Sequence, residues 1–211
     1  MAVKTKTCLL LGVIVGAAAL LGVACGGGGS DSSQSTSVPL TTCHPATPPV
    51  FGTPIVAADK QMWESADLGY SLVYPDDWHA APGQANYQNI FGDAFFGPNV
   101  SGDVQPNIAV TCETIPVGGD TNAYADYRRA VLQQLLEASP DSAATVTVDG
   151  HDAFFWHYKI TNSKTSAIVD KIEVLFADDR GGWMISLVAP EGHLGDYKPV
   201  LDDVLASFHE H

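Results

Sequence analysis

An apolar run that stops at a cysteine constrains this chain more than any other feature. Cys8 to Ala24 carries no charged side chain, Lys4 and Lys6 precede it, and Gly22-Val23-Ala24 lead into Cys25. A positive start, an apolar middle and a small-residue end form the pattern of a secretory leader. The 17-residue run falls short of the roughly 20 residues that cross a bilayer core. Residues 1–24 are therefore read as a leader, and the chain from Cys25 onward as the exported part. Gly26 to Gly29 and the polar run from Ser30 to Ser37 contain no apolar side chain, so ordering them has no burial to offset its entropy. With the prolines at 45, 48, 49 and 54, residues 25–60 read as a flexible tether and extension. Residues 61–211, about 150 in all, suffice for one hydrophobic core.

Leu21-Gly22-Val23-Ala24-Cys25 resembles the bacterial lipobox, although Gly22 stands where leucine is usual and Leu21 lies one place earlier. The resemblance implies that Cys25 is acylated and becomes the first residue of the mature chain. It would then be anchored by lipid in the cell membrane, facing outside the cytoplasm. A membrane-spanning anchor and a plain secretory leader are the alternatives.

Charge narrows the partners. The chain carries 10 basic and 24 acidic side chains, and loss of the leader removes two lysines and no acid, leaving 8 against 24, or −16. Such a field repels phosphate backbones, so nucleic acid is excluded as a partner.

Two cysteines remain after Cys8 and Cys25. In an oxidising compartment Cys43 and Cys112 are candidates for a disulfide that would staple the Pro-rich extension to the domain. The alternative for Cys112 is a small buried hydrophobe.

From Gln61 the chain turns periodic. Gly69 to Pro75 alternates, with Tyr70, Leu72 and Tyr74 on one face, and Pro75 ends the strand. Asn89–Phe96 and Ile108–Ile115 are further strands. A helix capped by Thr121 or Asn122 presents Tyr124, Tyr127, Val131 and Leu135 as its apolar stripe and stops at Ser139-Pro140. Thr145–Val148 and His151–Ile160 form a hairpin about Asp149-Gly150, a pair suited to a type I′ turn. Ile168–Ala177 and Trp183–Ala189 form another. A last helix, capped by Asp196, shows Val200, Leu201, Val204, Leu205 and Phe208. Strands, helix, antiparallel strands and helix, in that order, predict an α+β fold: an antiparallel sheet flanked by helices.

The stretch Met62 to Trp78, with Gly69-Tyr70, Tyr74-Pro75 and Trp78 as its markers, resembles the opening hairpin of the PsbP-like superfamily. That superfamily includes photosystem II extrinsic subunits and LpqN-type envelope lipoproteins. The resemblance covers roughly Gln61 to His209. It implies an α/β/α sandwich and a non-catalytic role.

The chemistry is sparse. No nucleophile elbow, phosphate loop, His-Glu-x-x-His or Cys-x-x-Cys occurs, and no cofactor is expected. Phe154, Trp156, Tyr158 and Trp183 either line a ligand pocket or fill the core. His209-Glu210-His211 has metal-binding donors, with a solvated chain end as the alternative. His151 and His157, near Asp152, are the candidates for a hydrolase. Asp76 and Asp77 beside Trp78 lack the spacing of a calcium loop and read as turn residues. The leading expectation is a lipid-anchored module with a binding or assembly role, contacting an envelope protein or a small apolar ligand. An extracytoplasmic hydrolase and a metal-binding lipoprotein are the alternatives.

Overall fold

The computed structural model describes residues 38–51, 56–98, 104–162 and 165–211; the leader and Cys25 lie outside them. β1 (Lys60–Ser65) and β2 (Tyr70–Pro75) form a hairpin with Lys60 opposite Pro75 and Ser65 opposite Tyr70. It turns at Gly69, whose φ of +64° suits glycine. A Cβ there would also fall 2.8 Å from Nη1 of Arg180.

The main sheet comprises β3 (His79–Ala81), β4 (Ile90–Phe96), β5 (Asn107–Glu113), β6 (Ser142–Val148), β7 (His151–Thr161), β8 (Ile168–Ala177) and β9 (Gly182–Pro190). Its order is β3-β4-β5-β9-β8-β7-β6, antiparallel throughout. The Asp149-Gly150 turn has φ of 47° and 84°, the double positive that a type I′ hairpin needs.

Both faces of this sheet are covered, so β8 and β9 are buried almost end to end. On one face lie the β1–β2 hairpin and α2 (Leu194–Ser207), closing over Ile108, Val110, Val174, Trp183 and Ile185. On the other lies α1 (Thr121–Leu136), packing Tyr124, Ala125 and Leu132 over Trp156, Tyr158 and Leu175. This is the predicted architecture, an antiparallel sheet between helical layers.

The helix ends differ from the sequence reading. Asp120 caps α1, its Oδ1 accepting from the Ala123 amide at 2.8 Å, while the Thr121 hydroxyl accepts from the Ala177 amide. α2 starts two residues before Asp196, which sits in the first turn, where a carboxylate faces the positive end of the helix dipole. Pro199 therefore falls in the second turn.

A disulfide joins Cys43 to Cys112, with Cα atoms 5.7 Å apart and both residues fully buried. The chain leading to it is hydrogen-bonded to the domain: the Thr41 amide donates to the Ile115 carbonyl at 2.8 Å, and the Ile115 amide donates to the Thr41 hydroxyl.

The last residues are not a frayed end. His209–Glu210 form β10, which pairs with β2 to complete a three-stranded sheet. Arg180 Nη2 donates to Glu210 Oε1 at 2.6 Å, and His151 Nε2 lies 2.9 Å from Oε2. The Glu210 amide and the His209 ring both engage Asp149, and the His211 ring meets the Ser71 hydroxyl. Edge-strand pairing and half-buried charge contacts order these residues, although the His209 and His211 side chains stay exposed. Burial, with Asp178 beside it, pushes the Glu210 carboxyl up to about 7 against the pull of Arg180. A carboxyl raised on folding contributes stability that is complete below its ordinary value of 4.5 and is lost as pH rises through about 7. Thermal unfolding in steps between pH 4.5 and 7 is therefore expected to show a falling trend that Glu210→Gln flattens. Identical slopes for the two proteins would contradict it.

Candidate functional site

β5 ends at Glu113, and the chain then runs through Ile115 and Pro116 to the start of α1. Between that crossing and the first two turns of the helix lies a cavity of about 480 Å³. Its walls are apolar, from Ile115, Pro116, Ala123 and the Tyr124 ring. Gly182, opposite Glu113 in the register, makes room for that ring: a Cβ there would sit 2.5 to 2.7 Å from three of its atoms.

Asn89, Thr114, the Tyr127 hydroxyl and above all Glu113 break the apolar lining. Glu113 is 2 % exposed, and its Oε1 accepts from the Tyr127 hydroxyl at 3.0 Å and from Asn89 Nδ2 at 3.4 Å. Oε2 is buried and has no hydrogen-bond partner among the described residues. Burial pushes the carboxyl up, against the lowering influence of Arg128, of the Tyr127 and Asn89 hydrogen bonds and of the Tyr124 hydroxyl. An apolar cavity with a few convergent polar groups is the usual anatomy of a small-molecule site.

Behind the cavity runs a buried ionic chain. Arg128 Nη2 donates to Glu173 Oε1 at 3.3 Å and Lys171 Nζ donates to the same oxygen at 2.7 Å, with Arg128 and Glu173 side chains 3 % and 0 % exposed. Burial opposes the Glu173 charge, yet Lys171 and Arg128 hold its carboxyl down at about 2. This chain corrects the predicted face of α1. The helix turns Tyr124, Ala125, Arg128, Val131 and Leu132 inward and leaves Tyr127 and Leu135 each 40 % exposed. An apolar-stripe argument assigns arginine to solvent; here the acid on the sheet draws it inward.

A smaller cavity of about 300 Å³ lies beside the β1–β2 hairpin, reaching Trp63 and Asp93. Asp93 is already committed, accepting from Trp63 Nε1, the Tyr70 hydroxyl and the Gly83 amide.

The predicted aromatic set does not form one lining. Residues directly opposite on neighbouring strands share a face, and the register aligns Phe154, Leu175 and Met184 in one row and Phe176, Trp183 and Cys112 in another. Phe154, Trp156 and Tyr158 thus lie under α1, whereas Trp183 lies on the opposite face against Phe176, Tyr70 and Phe208. Trp156, Tyr158 and Trp183 are fully buried core. Strand register, invisible in the sequence, separates them.

The histidines are also apart. His151 meets Glu210 and stacks on Phe176, while His157 Nε2 lies 3.1 Å from Asp170 Oδ1; Asp152 is exposed on the other face. No hydroxyl or thiol hydrogen-bonds to either ring among the described residues. His209 and His211 lie ring to ring at 4.7 Å, and the described residues contain no group of three metal donors placed to hold an ion. Asp76 and Asp77 are exposed turn residues. Glu113, Asn89, Tyr127 and Arg128 were the residues sequence reasoning passed over. Their one signal was alternation: it puts Glu113 on the sheet face opposite Cys112, the face that α1 covers.

The sequence matches no family model, and no curated protein matches it. Solved structures do. Cyanobacterial PsbP (CyanoP) from Synechocystis sp. PCC 6803 superposes with a TM-score of 0.51 at 16 % identity, over 77 % of this chain and 98 % of that one. LpqN of Mycobacterium tuberculosis, described as involved in cell envelope biogenesis, superposes with a TM-score of 0.52 at 12 % identity, over 71 % and 88 %. At these identities the likeness concerns the fold.

Proposed function

We propose, with the PsbP-like fold as premise, that this chain is an exported lipoprotein whose domain binds a small ligand without turning it over, in the service of envelope assembly. The observation that carries the binding reading is the α1–β5 cavity, where apolar walls converge on one buried carboxyl. The envelope role is supported by the LpqN likeness and by the lipobox-like sequence at Cys25. Among the described residues no helix is long and apolar enough to cross a membrane, and in this reading the acylated cysteine supplies the attachment.

Two experiments test the two halves. Cys25→Ala is expected to abolish acylation and to move nearly all of the protein out of the membrane fraction or leave the leader attached. Unchanged mass and partition would overturn the anchor. For binding, small molecules that co-purify with the full chain are identified by mass spectrometry, in the natural protein and in Ala123→Phe, which fills the cavity mouth. Loss of a co-purifying species in the variant supports the reading, and identical profiles contradict it.

A further inference from the structure

We propose that the ligand of the α1–β5 cavity is an apolar amine, held through its ammonium group by Glu113; this rests on the binding reading above. Glu113 lines the cavity, is 2 % exposed, and keeps one oxygen without a partner among the described residues. A buried carboxyl in that state is costly unless something supplies donors or positive charge. Its neighbours already define it as an acceptor, since Tyr127 and Asn89 both donate to Oε1. The carboxyl as a whole therefore meets a ligand in the cavity as an acceptor. Arg128 meets this need only in part: its charge favours the Glu113 carboxylate, but its Nη2 is directed to Glu173 and it makes no hydrogen bond to Glu113 among the described residues.

An ammonium group brings three donors and a full charge to that carboxyl. A carboxylate head would set two anions together, and a hydroxyl head would supply one donor without charge. The protein's strongly negative field draws cations to its surface and turns anions away. The body of the ligand is fixed as apolar by Ile115, Pro116 and Tyr124. Beyond the mouth, Leu40 bridges Pro116 and Val117 comes next in the chain, both 60 % exposed, so apolar surface continues outward for a chain longer than the cavity. Amine binding releases any proton on Glu113, so affinity increases with pH across the carboxyl's raised range while the amine stays charged.

The test titrates the full chain with octylamine, 1-octanol and octanoate, followed by calorimetry and by NMR shifts at Ile115, Ala123 and Tyr127. Octylamine is expected to bind at those residues about tenfold more tightly than octanol, with octanoate weakest, and Glu113→Gln is expected to erase the preference. Should Glu113→Gln fail to fold, Glu113→Asp, which withdraws the carboxylate by one carbon, is expected to weaken octylamine alone. If octanol or octanoate binds the same residues as tightly as the amine, or if Glu113→Gln or Glu113→Asp leaves the amine unaffected, the amine assignment is wrong and the cavity remains a binding site. If none of the three probes perturbs those residues, the amine assignment is again wrong. The Ala123→Phe co-purification experiment then decides separately whether the cavity binds anything.

Discussion

Replacing Cys43 and Cys112 together by alanine is expected to lower the unfolding free energy by about 4 kcal/mol. The cysteines stand 69 residues apart in sequence, and closing a loop of that length is what the bond contributes in the chain-entropy account. Both sulfurs are fully buried, so alanine leaves an apolar site rather than a stranded polar one. For a domain of this size the loss corresponds to a melting temperature lower by roughly 8–16 °C. Denaturant unfolding of the natural and double-alanine proteins, with and without reductant, measures it. A difference under about 1 kcal/mol would mean that the loop is held by its packing and not by the bond.

The second large effect is expected from Glu173→Leu. One carboxylate oxygen serves both Arg128 and Lys171 beneath α1, so its removal leaves two buried cations without their shared partner. Breaking a buried ionic contact from one side costs about 3–5 kcal/mol, because the surviving charge stays desolvated. Replacing all three, as R128M, K171M and E173L, removes the charges along with the need for them and is expected to recover most of that loss. A triple variant as unstable as the single one would refute the account. The sign with pH is set by the depressed carboxyl. Glu173 contributes stability in full above its ordinary 4.5 and loses it as pH falls through about 2, so its variants should unfold less steeply in acid. Glu210 acts in the opposite direction on the neutral side.

Much of the architecture was legible because local signals agreed. Pro75 stops β2, Asp149-Gly150 turns β6 into β7, and the alternation of Tyr70, Leu72 and Tyr74 matches a hairpin buried on one side. The rotation of α1 was not legible, because apolar periodicity has no means of marking Arg128 as an inward residue. The aromatic set fills the core, one of its two readings, but its division between two faces was not legible for a different reason. Trp183 and Trp156 each sit on a plausible strand, but only the pairing of β7 with β8 and of β8 with β9 decides which face each one reaches. Glu113 escaped notice because a lone acid at a strand end looks the same whether water or a helix lies beyond it. His209 and His211 were misplaced because two residues pairing with β2 are too few to leave a pattern.

The cystine at position 43 also decides where the domain carries weight. If the chain is anchored at its N-terminus as proposed, tension arriving along it crosses the sulfur bridge into β5, an interior strand gripped by β4 and β9 on either side. Everything between the two cysteines, the β1–β2 hairpin included, stays slack under that pull. A domain hung in this way would be lifted by its middle rather than unzipped from its margin.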